Sequence, residues 1–282
     1  MEKRILDHKQ VLGILPDRNI RSHKGHFGRL LLLCGSVGYT GAAALSAMGA
    51  LRSGAGLVFL GVPESVYSIL AVKLNEPVVF PLPDCAGKLS VEATEAVWER
   101  LQNKDAVLIG PGLGISEGTE SVLCRILQDY SGPVVLDADG INMVRTHKDL
   151  LRGRTGITVL TPHEGEFVRL GYALTGDRLA DAAAAASDLG VIMVLKGHKT
   201  VVTDGVTCYT NPTGNPGMAV GGCGDVLAGI ITSLLGQHLS PIEAAACGVW
   251  LHGAAGDKCA QTLGQYGMLP SDMLQALPLL MK

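Results

Sequence analysis

The sequence predicts an α/β fold: a mostly parallel, doubly wound sheet with helices on both faces, built as one domain over residues 1–282. Three observations lead there. Short apolar runs of strand length alternate with helix-like stretches along nearly the whole chain. Hydrophobic residues make up 47% of the chain and charged ones only 17%, which suits strands covered on both faces. Several of the apolar runs end in turns carrying Gly, Asp, His or Lys, as a ligand cleft beyond strand C-termini requires. No repeat, linker or low-complexity segment divides the chain, and its 282 residues suit one large α/β domain.

Taken in order, residues 1–27 read as an irregular polar lead-in, with Pro16 and with His8, His23 and His26 in surface or packing roles. Residues 30–34 form the first apolar strand, ending in Gly35-Ser-Val-Gly-Tyr-Thr-Gly41 and an alanine-rich helix over 42–53. A second strand covers 57–62, with Pro63 and Glu64 opening a helix; a short strand covers 78–80 and an amphipathic helix 91–101. Strands at 106–109, 134–136 and 158–160 end in Gly110-Pro-Gly-Leu-Gly114, Asp137-Ala-Asp-Gly140 and Thr161-Pro-His-Glu-Gly-Glu166. A helix over 177–189 leads to a strand at 191–195 and the turn Lys196-Gly-His-Lys-Thr200. Runs at 201–203 and 206–209 flank Asp204-Gly205, a hairpin signal that predicts an antiparallel edge. Helices over 241–259 and from Ser271 close the chain.

Composition removes several classes of function. A net charge of −3 without a basic run excludes an extended nucleic-acid surface. Seven scattered cysteines without a C-x-x-C pair point to a reducing compartment, and to neither a disulfide framework nor structural zinc. No apolar run is long enough for a bilayer, and the charged N-terminus has no signal-peptide core, so a cytoplasmic protein is expected.

The stretch 215–236 organises the rest. Gly217, Gly221, Gly222 and Gly224 precede apolar residues at helical spacing, Val226, Leu227, Ile230, Ile231, Leu234 and Leu235. A glycine turn feeding a helix presents free N–H groups at the positive end of the dipole, which makes an anion site, most often for phosphate. Asp225 stands at its mouth. It reads either as a general base for a hydroxyl meeting a phosphoryl group, or as a cap of its own helix. The dipole is expected to keep it ionised at neutral pH.

Other motifs are weaker alone. Gly110-Pro-Gly-Leu-Gly114 with Asp137 imitates a dinucleotide turn, but Ile115 stands where a small residue is required, so a tight strand-to-helix turn is favoured. His163-Glu-Gly-Glu166 lacks a second zinc histidine, since Phe167 takes its place; His163 is then a ligand contact or a histidine bonded within its turn. Lys196-Gly-His-Lys-Thr200 lacks the upstream glycine of a Walker A loop; it reads as a phosphate contact or as a solvated basic turn.

These segments occur together, in order, with His23-Lys-Gly-His-Phe-Gly28, Gly35 to Ala43, Ala50-Leu-Arg-Ser-Gly-Ala-Gly56 and Val135-Leu-Asp-Ala-Asp-Gly-Ile-Asn142. As a set they resemble the ADP-dependent NAD(P)H-hydrate dehydratases of the ribokinase-like superfamily. The resemblance implies a three-layer ribokinase-like fold and a repair reaction that removes water from hydrated NADH or NADPH, consuming ADP, with ATP as the alternative nucleotide. By position it implies Ala43, Gly112, His163 and Asp225 at the hydrate, with Asp225 as catalytic base. It implies Lys196, Gly197, His198, Lys199, Thr200 and Gly224 at the nucleotide, ADP or its product AMP, and an anion hole of Gly222, Cys223 and Gly224. Mg²⁺ bridging the phosphates, a homotetramer, and a separate NAD(P)H-hydrate epimerase as functional partner are implied as well. Two positions depart from the family pattern: Val220 where a threonine is expected, and Cys223 where serine or threonine is expected. They bear on hydroxyl contacts to the nucleotide. The rival readings are a vitamin-alcohol kinase of the same superfamily and a nucleotide sensor without turnover.

Overall fold

The computed structural model describes residues 2–282. Its strands are β1 (Glu2–Arg4), β2 (Arg29–Leu33), β3 (Leu57–Pro63), β4 (Val78–Leu82), β5 (Asp84–Cys85), β6 (Lys88–Leu89), β7 (Ala106–Ile109), β8 (Val134–Leu136), β9 (Thr158–Leu160), β10 (Ile192–Leu195), β11 (Val201–Thr203) and β12 (Thr207–Thr210). The helices are α1 (His8–Ile14), α2 (Thr40–Arg52), α3 (Glu64–Lys73), α4 (Ala93–Leu101), α5 (Glu117–Asp129), α6 (Asp139–Val144), α7 (Lys148–Arg152), α8 (Glu164–Arg169), α9 (Arg178–Leu189), α10 (Cys223–Gly236), α11 (Pro241–Gly267) and α12 (Pro270–Ala276).

One sheet runs in the order β1-β12-β11-β10-β9-β8-β7-β2-β3-β4, and β5 pairs with β6 in a separate ribbon. From β10 to β4 all neighbours are parallel; β11 is antiparallel to both of its neighbours. Apolar side chains fill both faces because consecutive residues of a strand point opposite ways. Leu30 and Leu32 of β2 join one core with α2, α3, α10, α11 and α12, while Leu31 and Leu33 join a second core with α4, α5 and α9. The result is the three-layer doubly wound sandwich that the composition anticipates.

Two expectations are corrected. The lead-in is ordered: β1 pairs parallel with β12, and α1 is capped by Asp7, whose carboxylate accepts from the Gln10 N–H at 2.8 Å. The sheet therefore ends on β1, not on the hairpin. Strand β1 is only three residues long and polar, which leaves no hydrophobic period to read. Helix α5 occupies a segment without a sequence-based assignment; Ser116 and Thr119 form its capping box.

Helices α2 and α10 meet almost backbone to backbone. A Cβ on Gly229 would stand 2.1 Å from the Ser46 carbonyl oxygen, and one on Gly49 would stand 2.6 Å from that of Val226. This contact ties the start of α10 to the turn after β2. The C-terminal turns of β2, β7, β8, β9 and β10 lie side by side, because those strands are adjacent and parallel. They form one edge, over which the N-terminus of α10 sits.

Candidate active site

The site is built where α10 begins. Gly222 caps the helix with φ 102°, a left-handed conformation open to glycine at little cost. The chain then enters α10 with no side-chain cap. The Cys223 N–H makes a long 3.4 Å bond to the Val220 carbonyl, and the Val226 N–H bonds that of Gly222 at 3.2 Å. The amides of Gly224 and Asp225 lie in the first turn, where no helical carbonyl precedes them to accept. Gly221 has open space around it. The sequence-predicted turn is thus an amide nest at a helix N-terminus.

Asp225 is the third residue of α10 and does not cap it. Burial pushes its carboxyl up to about 7; Asp137 pushes it the same way and Lys196 opposes. The expectation that the dipole keeps this carboxyl ionised at neutral pH is therefore corrected: desolvation first, and the charge of Asp137 next, outweigh the helix dipole.

Beneath Gly224 lies an ion pair whose acid is buried and whose lysine is partly exposed. Lys196 Nζ donates to Asp137 Oδ1 at 2.7 Å, and the Thr161 hydroxyl donates to the same oxygen at 2.7 Å. Asp137 is 2% exposed, and Glu166 Oε2 lies 4.0 Å from the ammonium. Burial works against the lysine's charge, but Asp137, Glu166 and Asp225 prevail and hold its pKa above the ordinary value. A Cβ on Gly224 would stand 3.4 Å from Lys196 Nζ and 3.9 Å from Asp137 Oδ2. The solvated-turn reading of Lys196 is set aside by this pairing. Ala138, beside Asp137, has φ 48°, a strained value for a residue with a side chain.

The remaining predicted residues surround this centre. His163 caps α8: its Nδ1 accepts from the Gly165 and Glu166 N–H groups at 3.0 and 3.3 Å, and Glu166 accepts from the His163 N–H at 2.9 Å. It is bonded within its turn, as one of its two readings holds, and its side chain is 53% exposed at the cleft edge. Residue 163 also bridges to Lys196 alongside the strand ends. Gly112 lies against Tyr39 and Ala42, and the Ser36 hydroxyl donates to its carbonyl at 2.7 Å. The turn holding Gly112 is stitched to its neighbours, with the Gly35 N–H bonding Pro111 and the Gly114 N–H bonding Asp139. Ala43 is fully buried, packed under Gly35. Gly197, His198 and Lys199 are exposed, and the Thr200 hydroxyl bonds the Gly197 carbonyl at 3.0 Å to close the loop.

Sequence reading gives no positioning role to Thr161, Glu166, Cys34 or His252. The Cys34 thiol is buried and pushed well up, by burial first and by Asp225 next. The His252 ring is buried and pushed down to about 4, and its Nε2 has no partner. Cys34 and Glu166 lie in or beside motifs already noted at strand ends; His252 lies within a long helix and carries no local signal.

Fold and nest together define a ribokinase-like α/β protein. The chain is similar, with a TM-score of 0.87 and 32% identity over 99% of its length and 95% of the other, to a ribokinase-like superfamily protein from Enterococcus faecalis V583. A family model described as NAD(P)H-hydrate dehydratase matches residues 30–279, and the chain belongs to that family. It is 44% identical to a bifunctional NAD(P)H-hydrate repair enzyme from Moorella thermoacetica, covering 99% of this chain and 54% of that protein. It is 37% identical to an ADP-dependent (S)-NAD(P)H-hydrate dehydratase from Neisseria meningitidis, covering 90% and 85%. An ADP/ATP-dependent NAD(P)H-hydrate dehydratase from Bacillus subtilis, co-crystallized with ATP/Mg²⁺, is similar with a TM-score of 0.83 at 32% identity, covering 98% and 96%. The chain spans about half the length of the bifunctional relatives it matches. No helix among the described residues is long and apolar enough to cross a membrane.

Proposed function

We propose that this chain, acting as one domain over 1–282, dehydrates NADH-hydrate and NADPH-hydrate with ADP, or with ATP in its place. The observation that carries the reading is the carboxylate of Asp225 directly after the Gly222–Gly224 nest, with a half-buried lysine beneath. Asp225 takes the proton of the ring hydroxyl, and that oxygen attacks the terminal phosphorus of ADP. The bond from phosphorus to the bridging oxygen breaks, and AMP leaves. Phosphate then departs from the ring carbon, a proton leaves the neighbouring carbon, and the double bond returns. The sum is hydrate plus ADP giving NAD(P)H, AMP, phosphate and one proton. Hydroxide is a poor leaving group and phosphate a good one, which is why a dehydration consumes a nucleotide.

The amides of the nest meet the charge that develops on the transferring group. Lys196 adds positive potential from beneath, and the backbone of Lys196 to Thr200 holds the nucleotide from the other side. Gly112 and His163 line the hydrate site, with Ala43 shaping its wall from below. No group of three or more His, Cys, Asp or Glu side chains that could hold a metal ion occurs among the described residues. Mg²⁺ would come with the nucleotide phosphates and would supply positive charge at the transferring group. An NAD(P)H-hydrate epimerase activity is the functional partner, in keeping with the bifunctional relatives.

The test is incubation with NADH-hydrate, magnesium and ADP or ATP, following the near-ultraviolet absorbance of the restored dihydronicotinamide. A rise with either nucleotide is expected. No rise with either, together with phosphorylation of a vitamin alcohol, would make the chain a kinase.

A further inference from the structure

We propose that Arg178 is a positioning residue for the nucleotide: its guanidinium holds the Lys196–Thr200 loop in shape from behind and ties it to the helix headed by His163. The inference rests on the placing of the nucleotide at that loop.

The topology brings three pieces together. Helix α9 leads into β10, and its first residue, Arg178, lies beside the turn that ends that strand. Asp177 caps α9, accepting from the Leu179 and Ala180 N–H groups at 3.2 and 3.1 Å, which fixes where Arg178 starts. Arg178 Nη2 donates to the carbonyls of Leu195 and Lys196, at 3.1 Å each. Nη1 donates to Glu164, in the first turn of α8 and next in sequence to His163. One planar fork thus joins two helices and the loop, which the single nitrogen of a lysine cannot do. The Arg178 Nε is buried and has no partner among the described residues. An arginine making only a surface ion pair would keep that group in water; here its hydration is given up to reach the two carbonyls.

These bonds decide which way the loop faces. A trans peptide points its C=O and N–H in opposite directions. With the Lys196 carbonyl turned to Arg178, the Gly197 N–H faces away and meets the Thr200 hydroxyl oxygen at 3.3 Å. From the α8 side, the Lys196 N–H bonds the Pro162 carbonyl at 2.8 Å. Gly197 has φ 151°, and a Cβ there would stand 2.8 Å from Arg178 Nη2, so only glycine lets the guanidinium close on the backbone. Lys199 has φ 55°, a costly value for a residue with a side chain, so the loop keeps this shape because its surroundings hold it. A carbonyl oxygen facing a phosphate repels it. Arg178 keeps two of them turned away from the nucleotide side.

The test is turnover with NADH-hydrate and calorimetry with ADP, each on the full chain with magnesium. Arg178→Ala should raise the KM and Kd for ADP at least about tenfold, with kcat changed less than about threefold and the hydrate KM within about twofold. Arg178→Lys keeps the charge but not the fork, and should lose nearly as much ADP affinity. It carries the same test if Arg178→Ala fails to fold. A role in stability alone would lower the folded fraction, and kcat with it, at an unchanged KM; that result overturns the proposal. So does parent-like ADP affinity in Arg178→Lys, which would make Arg178 a charge felt directly by the phosphates. Lys196→Ala and Gly224→Val, run alongside, check the nucleotide's place. If these two weaken ADP binding and the Arg178 variants do not, only the proposal falls; if none of the four weakens it, the placing of the nucleotide falls as well.

Discussion

Replacing Asp225 with asparagine should cost activity and return stability, and both magnitudes follow from the site. Asparagine keeps the shape but cannot take the hydroxyl proton. A positioned base contributes about 10²–10⁴-fold, so turnover should fall at least about 10²-fold. Nucleotide binding should survive or tighten, since a carboxylate no longer faces the phosphates. Stability moves the other way. The folded pKa of Asp225 stands at about 7 against an ordinary 3.8. Between those values the folded state keeps a proton that the unfolded chain has released. The parent's stability contribution from this group therefore falls as pH rises through that window, and levels off above about 7. Three units at about 1.36 kcal/mol each set a ceiling of about 4 kcal/mol. Asp225 retains some contact with water, so roughly half of that, about 2 kcal/mol, is expected. Thermal unfolding at about pH 8 should place Asp225→Asn roughly 4 °C above the parent, with no difference below about pH 4. Near-parent turnover would refute the base and send the search to Asp137, Asp139 or Glu164. Each of those carboxylates is already held, by Lys196, by the Gly114 N–H and by Arg178 respectively.

Three further outcomes are expected. Gly224→Val puts a branched side chain over the nest, and with Lys196→Ala should weaken ADP binding at least about tenfold by calorimetry; unchanged affinity in both would place the nucleotide elsewhere. Gly229→Ala drives a methyl into the Ser46 carbonyl and should lower stability by about 1–3 kcal/mol in urea unfolding; a neutral result would mean that α2 and α10 separate freely. The family resemblance implies a homotetramer, and an apolar content of 47% leaves room for a subunit interface, so light scattering should give about four times 29.4 kDa; a monomer mass ends that idea.

Contiguous features were legible in the sequence. The strand runs at 30–34 and 106–109, the glycine turn before α10 and the acid directly after it are all local. Backbone conformation, helix start and residue spacing depend mainly on near neighbours, and the mostly parallel character of the sheet then follows from alternating βα units. Capping by His163 was legible as one of two readings for the same reason. Tertiary structure decided what depends on residues far apart. Strand β1 joins the sheet because β12, some two hundred positions later, offers a free edge. Asp137 and Lys196 are 59 positions apart, and only the parallel pairing of β8, β9 and β10 brings their turns together. The protonation of Asp225 is of this kind too. Desolvation and Coulomb interaction sum over whatever lies nearby in space, so neither the position after Gly224 nor the helix dipole alone foretells a carboxyl that titrates at about 7.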